Sequence, residues 1–236
     1  MFDDIPSLVS VLLRFGHIAF GIIWLGHLYF FNLVNVPFQA DLDKDLKPKV
    51  NPKLLLRAFW WFRWGAMYTF IFGWLLFGKD YLGPQHLISS PDGGMSGRAM
   101  WTFVFGLLLY GYKYIHQGLL HNPEGGVSVR AGWIMFGMLL GIIMWFNVWF
   151  VIWPRQKKIL GGLAAGTPHP DAAKLAATAG KASRFNTYAS GPMLFAMIVP
   201  NNYSGWSHSG MLLALILGVG FWFGMIKRSF KIKTTV

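Results

Sequence analysis

From Phe15 to Ala40 the chain reads "FGHIAFGIIWLGHLYFFNLVNVPFQA", without a single Asp, Glu, Lys or Arg. A helix needs about 20 predominantly apolar residues to cross about 30 Å of hydrocarbon, and several further runs approach or exceed that length. Composition agrees: 54% of residues are hydrophobic, 17% aromatic and only 13% charged, where a soluble domain carries nearer a quarter charged. The expected fold class is all-α, a polytopic transmembrane helix bundle of about six spans forming one integral membrane domain over residues 1–236.

The first span is expected at about 8–36, closed by Pro37. A lysine-rich loop, "DLDKDLKPKVNPK", leads to the second at about 54–78. The stretch "GPQHLISSPDGGMSG" has the composition of a loop and precedes a third span at about 99–115. After "HNPEGG" comes a fourth, at about 131–153, stopped by Pro154 and the basic residues Arg155, Lys157 and Lys158. Residues 168–183 are alanine-rich and moderately amphipathic, which predicts a helix outside the hydrocarbon running on into a fifth span at about 185–199. The sixth is expected at about 211–226, before a basic tail, and no internal repeat stands out. Gly137 with Gly141, and Gly220 with Gly224, have the GxxxG spacing that lets helices approach closely. Both are read as internal packing. Trp60, Trp61, Trp64, Trp145, Trp149 and Trp153 lie toward span ends and are read as interface anchors.

Twenty-one Lys and Arg against nine Asp and Glu give a net charge of +12. These cations cluster in loops and tail, so anionic lipid and membrane orientation account for them without nucleic acid. The chain has no cysteine, which excludes disulfides, iron–sulfur ligation and haem attached through C-x-x-C-H. The start "MFDDIPS" lacks the basic region and cleavage site of a signal peptide, and the first helix is expected to be retained.

Ionisable side chains in a membrane are expensive and mark function by default. Arg14 and His17 are three residues apart and share a helix face with Gly21 and Trp24. His27 lies ten residues beyond His17, about 15 Å along the axis and about 80° around it. Both imidazoles therefore cannot ligate one haem iron. Two b-type haems, or one haem with a ligand from another helix, fit this spacing. His17 and His27 are the candidate iron ligands, Arg14 a candidate partner for a propionate, and His116 and His121 the next candidates. His86, His208 and a methionine follow, while His169 reads as solvated. Against these stands the plainer possibility that His17 and His27 only hydrogen-bond to neighbouring helices and that Arg14 snorkels to the headgroups. No paired carboxylates lie in any span, no H-E-x-x-H motif or phosphate-binding loop occurs, and the catalytic residues stay unassigned.

Two stretches, "NVWFVIWPRQKK" (Asn147 to Lys158) and "RFNTYASGPMLFAMIVPNNY" (Arg184 to Tyr203), resemble the membrane domain of the PuuD-type urate hydroxylase (urate oxidase N-terminal) family. "LLRFGHIAFGIIWLG" (Leu12 to Gly26) is similar to that family's first helix, with His17 on its recurrent histidine, and "WFRWGAMYTFIFGW" (Trp61 to Trp74) to its second. The resemblance implies a membrane protein, often fused to a c-type cytochrome, that oxidises urate. With no cysteine in the sequence, the fused cytochrome domain is expected to be absent. Gly65 stands where the family pattern leads one to expect glutamate, and Gly132 or Trp133 and Asn202 where it leads one to expect histidine. His27 is additional. Likeness at this level carries fold further than activity.

Three functions remain open: a membrane subunit supporting electron transfer with b-type haem beside a larger redox complex, a urate-oxidising enzyme using a separate cytochrome, and a cofactor-free scaffold subunit. The expected location is a bacterial inner membrane, with lipid, other membrane subunits and a c-type cytochrome as partners. Six spans with the basic 154–184 loop and tail inside place both termini in the cytoplasm. Reporter fusions at Val236 and Ser204 should then show opposite sidedness; equal sidedness would mean a miscounted span.

Overall fold

The computed structural model describes residues 5–81, 129–202 and 208–232, nearly all of them helical. The first rod comprises α1 (Ile5–Tyr29), a π-helical segment (Phe30–Asn35) and α2 (Val36–Asp41). Helix α3 spans Lys47–Tyr81. A third rod comprises α4 (Val129–Phe146), a second π-helical segment (Asn147–Ile152) and α5 (Trp153–Ala164). Helices α6 (Ala172–Asn202) and α7 (His208–Ser229) complete the described residues. These are five rods rather than about six, and the span expected at 99–115 lies outside the described residues. Leu8–Asp41, Trp133–Ala164 and Leu212–Ser229 are long and apolar enough to cross a membrane. Helices α3 and α6 have the length but are more polar, through Lys47, Lys49, Lys53, Arg57 and Arg63 in one and Lys174, Lys181 and Arg184 in the other.

The prolines do not end the first and fourth spans. Pro37 and Pro154 each sit in the first turn of a helix that continues the rod. An interior proline lacks an N–H and clashes with the carbonyl four residues back. Each rod relieves this by widening the ladder just before the proline: Val36 N–H bonds Phe31 O, and Trp153 N–H bonds Val148 O. The helix then restarts with proline where its missing donor is harmless. The lysine-rich loop is also shorter than expected, since α3 begins at Lys47 and contains Pro52. The amphipathic segment does run unbroken into the fifth span, as α6.

Exposed apolar side chains identify the solvent. On α1, Leu8, Val11, Leu12, Phe15, Ile18 and Ile22 recur at helical spacing and are exposed, while Trp24, Leu25, Leu28 and Phe31 are buried against Phe59, Phe62 and Val148. Helices apolar on both faces belong in lipid.

Polar side chains of α6 tie the rods together. Asn186 is fully buried; its Oδ1 accepts from Asn147 Nδ2 at 2.8 Å and its Nδ2 donates to Met144 O at 2.9 Å. Tyr29 OH donates to Ser190 Oγ at 3.0 Å, and Asn32 Nδ2 to Ser183 Oγ at 2.9 Å. The two stretches from Asn147 and from Arg184 thus interlock through an amide pair.

Close approach does the rest. A Cβ on Gly137 would lie 2.8 Å from Met197 Cε, and Gly141 faces Met193 Sδ, so this pair packs α4 on α6 as expected. Gly220 and Gly224 face open space instead. The α6–α7 crossing uses Gly191 and Gly218, where a Cβ on Gly191 would meet Gly218 O at 2.5 Å. Replacing Gly191 by Ala should lower Tm in detergent, since overpacking costs about 1–3 kcal/mol. Gly220→Ala should leave Tm unchanged or slightly raised, by the about 0.5–1 kcal/mol that Ala gains over Gly within a helix. Equal losses would contradict this crossing.

Candidate functional site

The glycines and small residues that bring helices together also shape a cavity. On α3, Gly65, Thr69 and Gly73 recur every four residues and face α1. A Cβ on Gly65 would stand 3.0 Å from the Trp24 backbone nitrogen, and one on Gly73 would stand 3.0 Å from His17 Cε1. On α4, Gly137 and Gly141 open the facing wall. The result is a cavity of about 510 Å³ between α1, α3, α4 and α6, within the range of sites that hold cofactors and other small molecules.

His17, Gly21, Trp24 and Tyr29 line it from α1, Thr69, Phe70, Gly73 and Trp74 from α3, Met138 and Ile142 from α4, and Met193 and Met197 from α6. The wall is almost wholly apolar, and its hydroxyls are committed. Thr69 Oγ1 donates to Gly65 O at 2.7 Å, and Tyr29 OH to Ser190 Oγ.

His17 is the wall's one imidazole. Its Nδ1 lies 2.9 Å from Thr69 O. A carbonyl only accepts, so Nδ1 carries the proton and Nε2 keeps its lone pair. Metal-ligating histidines have this arrangement, with the second nitrogen fixed by a backbone carbonyl. The carbonyl is within reach because Gly73 leaves room for the ring. Trp24, 3% exposed, also lines the cavity and has a buried Nε1 with no acceptor among the described residues.

The other sequence candidates are elsewhere. His27 Nδ1 donates to Ile23 O, one turn back in the same helix, at 2.7 Å, and the side chain is not in the cavity wall. Arg14 is exposed, one turn before His17 and outside the wall. His116, His121 and His86 lie outside the described residues. His169 accepts the Asp171 N–H in an exposed turn. Among the described residues no three His, Asp or Glu side chains group as a metal cluster would require. Sequence reasoning missed Thr69, Gly73 and the individual methionines; the four-residue recurrence of Gly65, Thr69 and Gly73 was the available signal.

Trp60 and Trp61 are exposed, as anchors require. Trp64, Trp145, Trp149 and Trp153 are only half-buried anchors at most: Trp145 stacks on Phe70 at 4.3 Å, Trp64 meets Trp149 edge-on at 5.6 Å, and Trp153 lies under Arg63.

No curated protein and no solved structure matches the chain. The urate oxidase N-terminal family model matches residues 106–235. That match includes Asn147–Lys158 and Arg184–Tyr203 but not the segments bearing His17 and Gly65. It covers more than half of the sequence, and the chain belongs to the urate oxidase N-terminal family.

Proposed function

We propose that this chain is a multi-pass subunit of a bacterial cytoplasmic membrane that supports electron transfer, with a b-type haem held in the cavity by His17. The observation carrying the reading is the His17 imidazole: its Nδ1 is fixed on Thr69 O, which leaves the lone pair to Nε2, and the ring stands in an apolar wall. Met138, Met193 and Met197, from the other two helices, carry the thioethers that would help hold the haem iron. His/Met ligation is an established way to hold haem iron. Arg14, at the exposed end of the same helix, is the cation for a propionate.

Bound haem supplies one-electron transfer. The chain's own contribution is to orient His17 through Thr69, to exclude water with Phe70, Trp74 and Ile142, and to keep the site in low dielectric. A c-type cytochrome or another membrane subunit is the partner with which such a site would exchange electrons.

Family membership favours a second reading, oxidation of urate with a separate cytochrome as acceptor. The cavity offers it little. Urate is rich in carbonyl and N–H groups, while the Thr69 and Tyr29 hydroxyls already donate elsewhere. Unmatched polar groups buried with a ligand weaken its binding.

Protein isolated gently from the membrane should show a Soret band and sharp reduced visible bands. His17→Ala should abolish or shift them while leaving the protein in the membrane, and His27→Ala should leave them unchanged. A preparation with no Soret absorbance, and a His17→Ala protein that only loosens in assembly, would refute the haem reading. Purified chain supplied with an electron acceptor should consume urate weakly or not at all; catalytic loss of urate would establish the second reading instead.

A further inference from the structure

Away from the cavity, Arg63 reaches from α3 to the third rod. Its Cζ stacks 4.1 Å from the centroid of Trp153 and lies 5.9 Å from that of Trp149. Stacking engages the face of a guanidinium and leaves its N–H edges to find acceptors. Among the described residues Arg63 Nε is buried and has none, and Trp149 Nε1, in the same cluster, is buried without one too. Among the described residues no carboxylate pairs with Arg63. A cation and two N–H donors with no acceptor call for an anion rich in oxygen. Buried donors are otherwise almost always paired.

The cluster lies at the end of the third rod's apolar run. Trp153 is followed by Pro154, Arg155, Lys157 and Lys158, and Trp60 and Trp61, on the same stretch of α3, are 46% and 48% exposed. Exposed tryptophans next to cations mark the depth at which lipid phosphates sit. Phe146 and Phe150, exposed on the third rod, give acyl chains an apolar surface beside it.

We propose that Arg63 and the Trp149 indole N–H form a site for the phosphodiester of an anionic phospholipid, wedged between α3 and the third rod at the membrane boundary. Arginine suits this because its planar fork matches a phosphate oxyanion while its face stays on the indole. The site is independent of the cavity and of any haem in it.

The test uses the full chain in a neutral detergent, with phosphatidylglycerol or inorganic phosphate added, reading Tm and retained lipid by native mass spectrometry. Phosphatidylglycerol should raise Tm with saturation, as any ligand of the folded state does, and one lipid should stay bound. Trp149→Phe keeps a ring but removes the donor, and should weaken half-saturation about tenfold, as expected for one hydrogen bond to a charged group. Arg63→Lys should weaken it too, and Arg63→Gln should abolish it. A saturable response to inorganic phosphate without one to lipid would overturn the lipid assignment in favour of a free oxyanion. No response to either, or a lipid response that survives in both Arg63→Gln and Trp149→Phe, would overturn the site. Arg63→Lys and Trp149→Phe keep the outcome readable if Arg63→Gln does not fold.

Discussion

Asn186 occupies the centre of the bundle with no exposure, and neither half of its amide can stay unpaired in a medium without water. Its Oδ1 holds Asn147 and its Nδ2 holds the Met144 carbonyl. That single side chain fixes α6 against the third rod at the point where the ladder widens ahead of Pro154. Interhelical hydrogen bonds in membranes contribute about 1–2 kcal/mol in model peptides and less in whole proteins. Their larger effect is on register: a slide or rotation of α6 leaves two amides and a carbonyl unsatisfied at once. Ser183 and Ser190 extend this control to the first rod through Asn32 and Tyr29. With α6 held on both sides, Met193 and Met197 are set one and two turns further along, at the cavity.

The cavity exists because close contact is concentrated at a few small residues. Gly65 lets α1 touch α3, and Gly137 lets α4 touch α6. Between these contact points the bulkier neighbours hold the two pairs apart, and the space left is lined by Met, Ile, Phe and Trp. Loss of hydrophobic association as a driving force is general in lipid, and packing at small residues takes its place. Here the same residues bind the bundle and leave the hole.

Much of this was legible in the sequence. Uninterrupted apolar runs give helices in lipid, and alanine-rich periodicity gives the long α6. His17 was distinguished by its depth and its neighbour Arg14. What could not be read were consequences of three-dimensional register. Pro37 and Pro154 look like terminators because a regular helix has no place for them; the π segments that absorb them depend on the whole rod being held in a bundle. Gly220 and Gly224 have the spacing of a packing face, yet the helix crossing falls on Gly218 and leaves them in the open. Spacing defines a face and not its partner. His27 satisfies itself within its own turn, which its sequence neighbours do not reveal, and the span expected at 99–115 lies outside the described residues.

Gly65 stands at the contact between α1 and α3 that also positions His17. The resemblance leads one to expect glutamate at this position, but any Cβ there would press on the backbone of Trp24, 3.0 Å from its nitrogen and 3.3 Å from its Cα. A side chain there requires α1 and α3 to give by a few tenths of an ångström. That shift falls on the same helix contact that sets His17 against the Thr69 carbonyl, one turn further along α3. Gly65 therefore helps set the α1–α3 separation at which the His17 imidazole meets the Thr69 carbonyl. The close helix contact and the oriented imidazole are two parts of one packing arrangement.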